Sequence, residues 1–132
     1  MNKFKIISSY PQREEMEMSQ EEELRRVLHD LAKHGNSIVL LKYPGIGNLT
    51  LGIGMHYGFV EFMNADESPP YLIAKEDHKK EDVNPFVEFD SGGTPTPIPI
   101  DNCLPFDRVV EIAVYFLRNK KLPDYVNWIG VE

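Results

Sequence analysis

The sequence of 132 residues predicts a single α+β domain, residues 1–132, with two main helices packed on an antiparallel sheet of about five to six strands. Two observations predict this fold: amphipathic helical patterns lie towards the two ends of the chain, and short β-like runs lie between them. Because these runs follow one another without intervening helices, a parallel βαβ arrangement is not expected. A chain of this length can bury one hydrophobic core without disulfides or metals.

The first helix is predicted over residues 19–34. Ser19 and Glu22 have the spacing of a capping box, in which each side chain bonds to the other residue's backbone N–H group. Apolar residues then recur at helical spacing and form one core-facing stripe. Its members are Leu24, Val27, Leu28, Leu31 and Ala32. Gly35 follows as a typical left-handed end to a helix.

The strands are predicted from short runs rich in β-branched and aromatic residues, separated by turn residues. They are 38–41, 49–53, 59–63, 71–74 and 86–89, with a last extended segment at 125–131. The turn at 44–48 predicts that the first two runs form a hairpin. Residues 75–82 are mostly charged and predict a loop. Gly92 and Gly93 predict a bulge or a turn with positive φ.

The second helix is predicted over residues 106–119, again from apolar residues at helical spacing. Pro105 suits the start of this helix, and Lys120 and Lys121 suit the negative end of its dipole. Trp128 stands near the end of the chain and is expected to pack the last segment onto the core.

The charge of the chain is concentrated in one stretch. The net charge is −7, and residues 61–90 alone carry three basic and nine acidic side chains. Nucleic-acid binding depends on basic side chains that neutralise phosphates, so a nucleic-acid partner is not expected. An acidic surface attracts basic proteins. The alternative is that these acids only keep the protein soluble.

The cysteine count and the apolar runs bear on the compartment. Cys103 is the only cysteine, so no intramolecular disulfide is possible and a reducing cytoplasm is expected. The apolar segment at the N-terminus is too short for a signal peptide, and no run approaches the roughly 18 residues of a membrane helix. A cytoplasmic protein with no membrane partner is therefore predicted.

The residue types of enzyme chemistry are present without the spacings that this chemistry needs. No pair of histidines or cysteines has a zinc-binding spacing, and the glycines at 45–58 do not match a phosphate-binding loop. Cys103 could act as a nucleophile, but its apolar neighbours favour a buried structural cysteine. No catalytic residue, cofactor or metal is expected, and the chain is predicted not to be an enzyme.

Residues 87–106 and 122–128 resemble the first immunity-protein family of bacterial polymorphic toxin systems. The resemblance spans about residues 24–129 and is most specific at Gly92 and Gly93, at Leu104 and Pro105, and in the ending from Pro123 to Trp128. It implies that the gene lies beside a toxin gene. It also implies that the product binds the toxin's effector domain, often a nucleic-acid deaminase, and blocks its active site.

In this interpretation, an acidic surface fills the basic substrate groove of the toxin. The acids expected to pair with toxin cations are Asp66, Glu67, Glu76, Asp77, Glu81 and Asp82. Tyr57 and Tyr71 are expected to add apolar contact, with partial burial in the core as the alternative. A contact through the hairpin around His56 and Tyr57 stays open. So does a different class of function, a small ligand-binding domain or enzyme with a cleft between sheet and helices.

Overall fold

The computed structural model describes residues 3–8, 14–76 and 85–130. The described residues form a ten-stranded sheet and two helices. In chain order the elements are β1 (Phe4–Ser8), β2 (Glu14–Met18), α1 (Glu21–Ala32), β3 (Ser37–Tyr43), β4 (Gly47–Ile53), β5 (Tyr57–Met63), β6 (Leu72–Lys75), β7 (Phe86–Ser91), β8 (Thr94–Pro99), β9 (Leu104–Pro105), α2 (Phe106–Asn119) and β10 (Asn127–Gly130). A short 3-10 turn over Ile100–Asn102 joins β8 to β9.

The main path of the sheet runs in the order β10-β6-β5-β4-β3-β1-β2, and all neighbours on it are antiparallel. Three strands lie off this path. β9 pairs with the start of β5, and β7 and β8 form a hairpin. This hairpin joins the sheet through a parallel bridge between Ser37 and Asp90. The end of β7 therefore lies beside the beginning of β3.

The α+β class is confirmed, but the predicted sheet of five to six strands is too small. The six predicted segments appear as β3 to β7 and β10, whereas β1, β2, β8 and β9 were not predicted. β8 carries Pro95, Pro97 and Pro99 and, in the described part of the chain, pairs with β7 alone. Alternate backbone N–H groups of a strand point to the same side. The three prolines occupy the positions whose N–H groups would point away from β7, so the hydrogen bonds between β8 and β7 are kept.

The first helix is shorter than predicted. It begins at Glu21 and ends at Ala32, and the residue before it, Gln20, makes no capping hydrogen bond with its side chain. Because the N-cap position is occupied by Gln20 and not by Ser19, the capping box predicted for Ser19 and Glu22 is wrong. Gly35 has a φ of 109°, which confirms the predicted left-handed stop. The bounds of the second helix are confirmed.

Two hydrophobic cores hold the fold together. The main core lies between the helices and one face of the sheet, where Leu28 of α1 and Val109 of α2 are fully buried. Val60 belongs to this core, whereas its neighbour Phe59 belongs to a second core with Phe89. Because successive strand residues point to opposite faces, the second core lies on the other face of the sheet, under the β7–β8 hairpin.

Candidate functional site

The three predicted toxin-binding acids within the described residues lie on either side of β6. Asp66 and Glu67 precede this strand and Glu76 follows it. Four strand residues rise about 13 Å, so the first two acids and Glu76 lie at opposite ends of the strand. The other three predicted acids, Asp77, Glu81 and Asp82, lie outside the described residues.

Asp66, Glu67 and Tyr71 build the turn between β5 and β6. Ser68 donates two hydrogen bonds to Oδ1 of Asp66, from its backbone N–H at 3.1 Å and from its hydroxyl at 2.5 Å. These bonds lower the pKa of Asp66. The hydroxyl of Tyr71 donates to the backbone oxygen of Glu67 at 2.9 Å. All three residues remain exposed, so they are accessible to a partner while also holding the turn.

Glu76 lies in a groove between α2 and the strands β6 and β10. Its carboxylate forms an ion pair of 3.6 Å with Arg108, whose guanidinium lies 6.0 Å from the ring centroid of Tyr125. Burial is the largest cause that raises the pKa of Tyr125, so this phenol stays protonated at neutral pH. This groove is a cleft between the sheet and a helix, the type of site that the alternative interpretation of the sequence expects. The ion pair of Glu76 with Arg108 and the protonated phenol of Tyr125 both line this groove.

The buried character predicted for Cys103 is confirmed. Its side chain is fully buried, and its Sγ lies 3.5 Å from the carbonyl oxygen of Pro99, which accepts a hydrogen bond from it. Burial raises the pKa of the thiol to about 11. At neutral pH the thiolate required for nucleophilic attack is therefore scarce. Across residues 3–8, 14–76 and 85–130, no group of three or more His, Cys, Asp or Glu side chains could hold a metal ion.

Tyr57 lies at the opposite end of the sheet from Tyr71, beside a second surface depression. This depression is lined by the end of α1, the turn between β4 and β5, and β7, and its lining is mostly apolar. Met55 is the most exposed of its apolar lining residues, with 67% of its surface accessible. Tyr57 and Val87 are partly buried, and both pack against the second core. The hairpin around His56 and Tyr57, which the sequence offered as an alternative contact surface, therefore borders this mostly apolar depression.

Asn36 connects this depression to an acidic one. Its Nδ2 donates a hydrogen bond of 3.0 Å to the backbone oxygen of Glu88, and its own backbone oxygen accepts one of 3.0 Å from the N–H of Asp90. The neighbouring depression is lined by Asn36, the residues 88–90, Gly93 and Pro95. We call the two together the hairpin groove, with an apolar end at Met55, Tyr57 and Val87 and an acidic end at Glu88 and Asp90.

The comparison with protein families decides the class of the protein. The family model described as immunity protein Imm1 matches residues 12–129, from just before β2 into β10. The chain belongs to the Imm1 immunity-protein family. This confirms the resemblance to an immunity-protein family on which the sequence interpretation relied. None of the curated proteins compared with the chain matches it.

Membership in the Imm1 family indicates the general role of the protein. Immunity proteins neutralise toxins, so the family assignment indicates a protein that binds a cognate toxin and favours binding over catalysis. In the part of the chain that the structure describes, neither helix is long and apolar enough to cross a membrane. The sequence placed Glu88 and Asp90 only within the acidic stretch 61–90, and no sequence pattern indicated Met55 or Val87. The turn around His56 and Tyr57 was the other pattern that indicated this region.

Proposed function

We propose that this Imm1 protein binds the toxin encoded beside its own gene and neutralises it in the cytoplasm. The observation that carries the proposal is the family match over residues 12–129. A protein with this role needs a surface for a protein partner and no catalytic group. The raised pKa of the buried Cys103 thiol and the ion pair between Glu76 and Arg108 agree with this role, since neither leaves a reactive group free.

We further propose that the toxin is a deaminase that acts on nucleic acid. Support comes from the charge of the chain, which is −7 overall and is concentrated in residues 61–90. An enzyme that binds nucleic acid carries basic side chains around its substrate groove. An acidic protein that covers this groove is attracted to it over a distance of about 8 Å at physiological salt. The acids then exclude the substrate by occupying its phosphate positions.

The inhibition is tested with the purified toxin domain and a single-stranded nucleic-acid substrate. We expect deamination to fall in proportion to added Imm1 protein and to stop near a molar ratio of one. Substrate at high concentration should restore the reaction if the active site is occluded. Full deamination in the presence of a stoichiometric complex would contradict occlusion, and a toxin with a different reaction would contradict the deaminase assignment.

The acidic surface is tested by association kinetics. Replacing Asp77, Glu81 and Asp82 by Asn or Gln should lower the association rate at low salt, and the difference from wild type should shrink as salt increases. Glu76 is changed separately, to Gln, because its carboxylate is held by Arg108. A control variant removes three exposed acids elsewhere: Glu22, Glu111 and Asp124.

Both triple variants change the net charge by the same amount. The proposal requires the first variant to slow association more than the control does. Equal rates for the two variants at low salt would mean that residues 77–82 do not face the toxin, and that the acids act only through total charge or solubility.

A further inference from the structure

We propose that the hairpin groove is the surface into which the toxin inserts an apolar side chain, with a neighbouring Lys or Arg placed against Glu88 and Asp90. This inference rests on the proposed function and specifies where the toxin is held. The occupant is a segment of the toxin that carries an apolar side chain and a neighbouring basic side chain.

The apolar end has the properties of a binding hot spot. Met55 exposes 67% of its surface in a concave site whose other lining side chains include Tyr57 and Val87. An exposed methionine at a concave site is flexible and polarisable, and can adapt to the partner side chain. Tyr57 and Val87 pack against the second core, so their side chains are held in place at this end of the groove. Binding energy is usually concentrated in such pockets.

The acidic end provides the charge complementarity. Glu88 and Asp90 are exposed on β7, and no ion pair joins either carboxylate to a residue in the described ranges. Oδ1 of Asp90 accepts a hydrogen bond of 2.6 Å from the N–H of Gly93. At the apolar end, Nζ of Lys33 lies 3.9 Å from Oδ1 of Asp30, so the cation at this end of the groove already has an acidic neighbour. A basic side chain of the partner is therefore favoured at the β7 end of the groove.

The groove is formed before the partner arrives. The two hydrogen bonds of Asn36 fix β7 to the beginning of β3, and Gly54 makes room for the Asn36 side chain. A Cβ atom at Gly54 would overlap Oδ1 of Asn36. Gly92 and Gly93, with φ of 60° and 94°, close the β7–β8 hairpin in a turn that other residues rarely adopt. Binding to a preformed groove avoids the entropic cost of ordering a loop.

The test measures binding of the 132-residue Imm1 protein to the purified toxin domain encoded by the adjacent gene. We expect Met55→Glu to raise the dissociation rate by at least about 30-fold, with little dependence on salt, because it places a charge in an apolar contact. We expect Glu88→Lys to lower the association rate by about 10-fold at low salt and by less at high salt. Both side chains are exposed, so melting curves should stay close to wild type.

Matched controls place the same chemical changes elsewhere. Ile129→Glu introduces a carboxylate at another exposed apolar residue, on β10, and Asp124→Lys reverses a charge in the turn before that strand. Both controls should bind the toxin within about twofold of wild type if the groove is the docking surface.

The outcomes separate this inference from the proposed function. If the wild type binds and the two groove variants bind equally well, the groove is not the docking surface, while toxin neutralisation stands. If the wild type does not bind the toxin, the proposed function fails and the inference fails with it. If light scattering shows that Met55→Glu converts a dimer into a monomer, the groove holds a second copy of this chain and the inference is overturned.

Discussion

Replacing Trp128 by Ala tests how the last strand is held to the domain. Trp128 lies in β10, a strand that pairs with β6 alone among the described strands. Its indole is partly buried against the main core, and its Nε1–H donates a hydrogen bond of 3.0 Å to the backbone oxygen of Pro123. The side chain therefore joins β10 both to the core and to the turn that follows α2.

The magnitude follows from the two contacts. A fully buried tryptophan removes about 200 Å² from water, and about half of that area at roughly 25 cal/mol per Å² stabilises the fold by about 2.5 kcal/mol. The hydrogen bond contributes about 1 kcal/mol more. We expect Trp128→Ala to lower the free energy of unfolding by about 3.5 kcal/mol. For a domain of this size, the melting temperature should fall by about 10 °C.

Thermal and urea unfolding measure this change directly. Trp128→Phe is the matched variant, because it keeps most of the apolar contact and removes the indole donor, and it should lose only about 1 kcal/mol. A Trp128→Ala protein that melts within about 2 °C of wild type would refute the reasoning. So would a Phe variant that is as unstable as the Ala variant, since the hydrogen bond would then dominate.

Two further variants test the packing and the electrostatics of β5. Gly58→Ala should lower the free energy of unfolding by about 2 kcal/mol or more in urea titrations, because the new Cβ atom would overlap the backbone oxygen of Gly52. A Gly58→Ala protein as stable as the wild type would show that the two strands can move apart at this point without a loss of stability. Burial raises the pKa of Glu61, so the fold disfavours its carboxylate and Glu61→Gln should be more stable than wild type at pH 7. The gain should fall as the pH falls through the raised pKa and vanish below about 4.5, the ordinary pKa of a glutamate carboxyl, where both states of the wild type are protonated. A gain that persists at pH 3 would contradict this electrostatic cause, and exposed Glu22→Gln serves as the control.

The sequence predicted the elements whose side-chain pattern is set by one buried face. The stripe of α2 and the alternating burial of β3 belong to this group, whereas β4 and β5 were recognised as short β-like runs and are buried on both faces. β2 was missed because acids alternate with methionines in Glu14–Met18, and acids are depleted in strands. β8 was missed because proline removes the ladder donor, a loss that matters little on an edge strand.

The candidate site was less accessible to sequence reasoning than the fold. Acids that are close along the chain, such as Glu67 and Glu76, are separated in space by β6. Conversely, the hairpin groove joins Asn36 to Glu88, 52 residues apart. This contact depends on the parallel bridge between β3 and β7, which no local pattern encodes. The turn at His56 and Tyr57 indicated the region but not the side chains that lie opposite it.

The central claim is that this Imm1 protein neutralises the toxin encoded beside it, and survival of cells that produce both proteins tests it most directly. Toxin is induced at a fixed level while the Imm1 protein is titrated from an independent promoter, with a toxin inactivated in its active site as the control. The account predicts that cells survive once the Imm1 protein reaches the level of the toxin. Equal killing at all levels of a folded, soluble Imm1 protein would contradict the account.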